Sequence, residues 1–86
     1  MKFMHYEWYD IGPEDIIEVT LDKQANVRLL NDTNYHKYKS GDSFDFRGGL
    51  AVTSPAHLSP PHRGHWHLCV DLMGYVGSVN VSVRII

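Results

Sequence analysis

Four of the six histidines in this 86-residue chain fall between His57 and His67, and His65 and His67 alternate along a segment that reads as a β-strand. Across residues 65–72, Trp66, Leu68, Val70 and Leu72 share one face, and His65, His67, Cys69 and Asp71 share the other. The first set is core. The second displays imidazoles, a thiol and a carboxylate together, the groups that bind metal ions and move protons. Two histidines two residues apart on a strand have Cα atoms roughly 6.6 Å apart at ~3.3 Å per residue, a span their rings can close onto one ion. Cys69 lies about 13 Å from His65, beyond a shared tetrahedral centre with bonds of roughly 2.0 to 2.3 Å. A metal centre therefore needs help from elsewhere: His62 or His57 in the preceding loop, or His5 and Glu7 on another strand. The set His62, His65 and His67 holding zinc is the alternative to a cofactor-free reading, in which His65 and His67 point outward and hydrogen-bond across the sheet. Clustered imidazoles, with an ordinary pKa near ~6.5, also suit a pH switch.

Catalytic patterns are missing from the sequence. There is no Gly-x-Ser-x-Gly elbow, phosphate loop or dinucleotide fingerprint, and Glu14-Asp15 is an adjacent pair in a turn. Cys69 sits mid-strand with no basic neighbour to make it a thiolate, so it reads as a packing residue. No enzyme is expected. A second possible surface comprises Tyr35, Tyr38, Arg47, Tyr75 and Trp66, aromatic and cationic groups suited to stacking on a ring or gripping a peptide. The ligand-binding candidates are thus His65, His67, Tyr35, Tyr38 and Arg47.

The composition limits the partners. A net charge of −2 and a pI near 6.3 give no electrostatic reason for nucleic acid or an anionic membrane. A single cysteine cannot form an internal disulfide, and no apolar run approaches the ~18 residues of a membrane span. The first residues lack a basic region followed by an apolar one, so a cytoplasmic location is expected. The partner is a protein or small molecule, and the chain is a monomer or weak homodimer.

The elements that must position these side chains are strands. Residues 78–86 alternate Val79, Val81, Val83 and Ile85 against Ser78, Asn80, Ser82 and Arg84. The same period brings Ile17, Val19 and Leu21 to one face, then Val27 and Leu29, with residues 22–25 expected as a hairpin between them. Residues 2–9 read as a strand of undecided facing, with Met4, Tyr6 and Trp8 against Phe3, His5, Glu7 and Tyr9. Gly48-Gly49 reads as a tight hairpin turn, residues 54–64 as a proline-bound loop or edge crossing, and residues 74–77 as the turn into the last strand. At most one short helical turn is expected near residues 32–40, with Asn31 or Asp32 as cap and Gly41 as stop. The chain is therefore expected to be one domain, 1–86, an all-β antiparallel sandwich or flattened barrel of about seven short strands.

The runs Val19-Thr20-Leu21, Ala25-Asn26-Val27-Arg28-Leu29-Leu30, Asn34-Tyr35, Tyr38-Lys39-Ser40-Gly41, Gly48-Gly49-Leu50-Ala51, Gly64-His65-Trp66-His67, Val70-Asp71-Leu72 and Gly74-Tyr75 together resemble an uncharacterised bacterial family of small all-β domains. Members occur alone or joined to TIR domains. The resemblance spans nearly the whole chain and implies an intracellular recognition module in signalling or defence, without assigned catalytic or binding residues. Three functions follow as expectations: a non-enzymatic recognition domain, a zinc-binding domain using the clustered histidines, or an assembly subunit that pairs through an edge strand.

Overall fold

The computed structural model describes residues 3–72 and 77–86. Among these residues there are seven strands and one helix: β1 (Met4–Ile11), β2 (Ile17–Leu21), β3 (Ala25–Asn31), α1 (Asp32–Ser40), β4 (Arg47–Ala51), β5 (Ala56–Leu58), β6 (Gly64–Asp71) and β7 (Val81–Ile85). The strands form two antiparallel sheets, ordered β1-β6-β3-β4 and β5-β2-β7. Alternating apolar residues explain why the sheets face each other. Ile17, Val19 and Leu21 of β2 meet Ala25, Val27 and Leu29 of β3 and Trp66, Leu68 and Val70 of β6 in one buried cluster. Their burial is the dominant stabilising contribution, at roughly 1.5 to 3 kcal/mol for each large aliphatic side chain.

The expected hairpin at residues 22–25 is instead a crossover between the sheets, because β2 belongs to one and β3 to the other. Each strand has a fully buried face, and folding one over the other lets those faces meet, which lateral pairing would not. Asp22 anchors the crossover to the last strand's approach: Asn80 donates its backbone N–H and its side-chain amide to the Asp22 carboxylate, at 2.9 and 2.8 Å. The last strand begins at Val81, later than the alternation from Ser78 suggested, although Val79 is still buried in the core.

Gly48 and Gly49 lie inside β4, so the expected turn there is also replaced. Gly48 adopts φ +101°, and a Cβ at this position would collide with the carbonyl oxygen of Val27 on the neighbouring strand. The pair thus permits close backbone approach at a sheet edge. The proline-rich segment supplies β5, a three-residue edge strand on β2. The turn expected at residues 74–77 lies outside the described residues, except for Gly77.

The outer face of the four-stranded sheet is covered over β3 and most of β6, so His67 does not face outward as expected, while His65 stays partly exposed. Helix α1 runs for nine residues, longer than a single turn. Asn31 caps it by accepting from the Asn34 N–H at 2.9 Å, and Gly41 ends it at φ +82°. The helix lays Tyr38 over Leu30 and Cys69, with Phe3, Tyr35 and Phe44 around them, forming a second small core. Consequently His67, Cys69 and Asp71 are buried on a face that strand alternation alone assigns to solvent. Phe3 and Phe44 meet Tyr38 edge-on, at ring-centre distances of 5.0 and 5.2 Å.

Candidate functional site

Strand β1 pairs with β6 so that Glu7 lies opposite His67 and His5 opposite Cys69. This register settles the facing of β1. Tyr6 and Trp8 join the sandwich core, while His5 and Glu7 stand beside His65 and His67 on the outer face. On the other side of β6, Leu30 lies opposite His67, and the chain turns immediately afterwards into α1. That turn places Asp32 above the two histidines. An acid in the first helical turn is also favoured by the positive end of the helix dipole.

Five titratable side chains therefore converge: His5, Glu7, Asp32, His65 and His67. Glu7 Oε2 lies 2.7 Å from His65 Nε2 and 3.8 Å from His67 Nδ1. Asp32 Oδ1 lies 3.2 Å from His67 Nε2 and 3.8 Å from His65 Nδ1. His5 Nε2 and His67 Nδ1 are 2.8 Å apart. An ionised carboxylate only accepts, so the proton of a neutral His67 resides on Nε2 and is donated to Asp32. Nδ1 of His67 is then an acceptor, and His5 donates to it. The result is a directed chain from His5 through His67 to Asp32.

Tyr35, one turn into the helix, lies flat over both rings. Its centre is 4.1 Å from His67 and 4.5 Å from His5, at interplanar angles of 9° and 11°. Tyr9 covers His65 in the same manner at 4.5 Å. Burial disfavours the charged imidazole, so the pKa values of His5 and His67 are lowered from their ordinary value. Hydrogen bonds from His65 and His67, respectively, hold the carboxyl groups of Glu7 and Asp32 below the usual range. Burial also raises the Tyr35 phenol.

Two groups of three side chains have ligand atoms mutually within 4.8 Å: His5, Glu7 and His67, and Asp32, His65 and His67. Neither includes His62. Its imidazole packs against Trp66 at 5.0 Å, and its carbonyl accepts from the indole N–H at 3.0 Å. Trp66 belongs to the core side of β6, so the expected His62, His65 and His67 set is divided by the strand itself. His57 lies on the other sheet, 3.2 Å from Glu18.

The expected aromatic surface divides as well. Tyr38 is 2% exposed, and its hydroxyl donates to Asp71 at 2.7 Å, so its place is structural. Asp71 also accepts from Arg28 at 2.6 Å and from Asn26 at 3.1 Å. Phe46, Phe44 and Tyr38 surround the Arg28 guanidinium, which lies 5.2 to 5.8 Å from their ring centres. Burial pushes the Cys69 thiol up to about 12, as befits a packing residue. Arg47 lies opposite the core residue Leu29, on the register opposite to that of His67. There it lines a groove of about 550 Å3 with Leu29, Asp45, Phe46, Pro61 and Trp66. Tyr75 lies outside the described residues.

The fold and the site together define a two-sheet β-domain in which one helix packs on the outer face of the four-stranded sheet beside a histidine and carboxylate cluster. Residues 1–86 match the family model described as Domain of unknown function (DUF1883), and the chain belongs to that family. No curated protein and no solved structure matches the chain. Asp32 is the site residue that sequence reasoning missed. Its only signal was a position at the cap of the short helix, and its distance from β6 in sequence hid the contact.

Proposed function

We propose that this domain is a non-enzymatic recognition module, whose ligand carries an anionic group on a flat apolar body. The observation that carries this reading is the groove beside Arg47. The guanidinium there has no ion pair or side-chain hydrogen bond among the described residues, and Phe46, Pro61 and Trp66 line the same space. A guanidinium fork matches carboxylate or phosphate geometry, while aromatic walls favour a ring. Asn31 and Asn34 line this groove, and the Asn34 amide donates to Asn31 Oδ1 at the start of α1, next to Asp32. A ligand in the groove therefore touches the same helix end that holds Asp32 over His67. That link suits a sensor-type module, working in the cytoplasm in a bacterial signalling or defence context. No helix among the described residues is long and apolar enough to cross a membrane.

The test uses the untagged 86-residue chain and a panel of aromatic carboxylates and aromatic phosphates, read by amide and indole chemical shifts. The expected result is saturable movement of the Trp66 indole and the amides of residues 45–48, reduced at least tenfold in affinity by Arg47→Ala. A panel that leaves these signals unmoved, or binds Arg47→Ala as well as the parent, overturns the assignment.

A further inference from the structure

We propose that His5, Glu7 and His67 bind a zinc-type divalent transition-metal ion, with Asp32 as the positioning carboxylate behind His67. Each of the three offers a donor atom within 4.8 Å of the other two, and around His67 Nδ1 the facing atoms are His5 Nε2 and Glu7 Oε2. Two of the separations, 2.8 Å between the histidine nitrogens and 3.8 Å from Glu7 to His67, bracket the donor spacing of about 3.3 Å that tetrahedral bonds of ~2.0 Å require. Imidazole with carboxylate suits zinc and its neighbours in the transition series, whereas calcium and magnesium prefer all-oxygen sets.

The surroundings favour this triad over the alternative. A metal-bound histidine ordinarily gives its other ring N–H to a carboxylate, which fixes its orientation and raises its basicity. His67 already has that arrangement, with Nε2 3.2 Å from Asp32 and Nδ1 directed toward His5 and Glu7. Tyr35 lies flat on both rings and fixes their plane. His65 steadies Glu7 through a 2.7 Å contact of its Nε2 with Oε2. Binding in the Asp32, His65 and His67 group would instead consume Nε2 of His67 and leave Nδ1 facing His5 without an ion.

Loading requires a single proton relocation. The His5 proton on Nε2, now donated to His67, moves to Nδ1 of the same exposed ring through solvent, and the freed Nε2 lone pair joins the ion. Three protein donors leave a coordination position for water or for a group from a partner.

The test titrates cobalt(II), and separately zinc, into the untagged full chain, following cobalt by its visible ligand-field absorption. Binding of one equivalent is expected, with zinc displacing the cobalt signal. His5→Ala and Glu7→Gln each abolish stoichiometric binding, and Asp32→Asn weakens it about 10- to 100-fold. His62→Ala and His57→Ala leave it unchanged. His5 is exposed on an edge strand, so its variant keeps the parent's circular dichroism and urea midpoint within error, which separates lost ligation from lost fold. Less than one equivalent bound by the parent overturns the proposal. So does parent-like binding by His5→Ala, or a pattern in which His65→Ala and Asp32→Asn abolish binding while Glu7→Gln does not.

Discussion

Two polar clusters share the outer face of β6, only four residues apart, and they are built on opposite principles. Around Asp71, a buried carboxylate meets an arginine, an amide and a phenol, with aromatic rings filling the remaining space. Charge is compensated by charge, and the arginine Nη1, the amide and the phenol all donate to the one carboxylate. Around His67 the groups are imidazoles, whose proton positions can exchange, and the cluster opens to solvent through His65 and Glu7, each with about 31% of its side chain exposed. The first arrangement fixes the helix to the sheet. The second is the cluster at which we propose a metal ion, where a proton would give way to another cation. A polar cluster is thus a candidate site when its protonation is degenerate and its rim is open, and burial of polar atoms by itself does not make one.

The largest way to break this comparison is Asp71→Ala. It leaves the Arg28 guanidinium largely buried without its counter-charge, which costs about 3 to 5 kcal/mol. Urea unfolding measures the loss, and a change below about 1 kcal/mol would erase the distinction between the clusters. Tyr38→Phe is next. It removes one hydrogen bond to a charged acceptor while keeping the ring, and is expected to lower stability by roughly 1.5 to 3 kcal/mol. The cobalt titration of Tyr38→Phe should match the parent, since Tyr38 touches Asp71 and no member of the histidine cluster.

The period-two alternation made β2, β3, β6 and β7 readable, and Asn31 and Gly41 marked the ends of the helix, because side-chain facing and capping are local properties. The strands β4 and β5, read as a turn and a loop, and the facing of β1 were not legible that way. What could not be read was which strands become neighbours. His5 and His67 are 62 residues apart in sequence and meet only because β1 pairs with β6. The same limitation made the step from β2 to β3 look like a hairpin, since short polar linkers serve hairpins and crossovers equally. At Gly48 the local signal was ambiguous in a different way. Positive φ serves a turn or a close approach, and the deciding contact is the Val27 carbonyl on another strand. His65 and His67 were identifiable as a pair, whereas Asp32 and the covering Tyr35 depend on α1 folding back over the sheet.

A smaller effect sharpens the comparison from the helix side. Asn31→Ala removes the cap at the start of α1 and should cost about 1 kcal/mol. Because Asp32 and Tyr35 lie in the first turns while Tyr38 is pinned to Asp71, loosening should begin at the histidine cluster. The expected signature is movement of the His5 and His67 ring signals, with the side-chain signal of Arg28 unchanged. Equal movement at both places would mean that the helix acts as one rigid lid over both clusters.

The smallest effect is the pH dependence of the metal-free protein. The pKa values of His5 and His67 are lower in the folded chain than the ordinary 6.5, so the unfolded chain binds protons that the folded one refuses. Their contribution is complete above 6.5 and is lost as the pH falls below it toward the folded values. Glu7 and Asp32 act with the same sign at lower pH, because their depressed carboxyl groups contribute above 4.5 and 3.8 and lose that contribution on protonation. Glu18 and Asp22 share the carboxylate behaviour, so only the window just below 6.5 reports on the histidines. Urea midpoints with a chelator present should therefore fall between about pH 7.5 and about pH 5.5, and the fall should shrink when His5 and His67 are both replaced by Gln. A midpoint that rises on acidification would mean that the cluster prefers the charged imidazole, reversing the order of proton and carboxylate on which the directed chain from His5 to Asp32 depends.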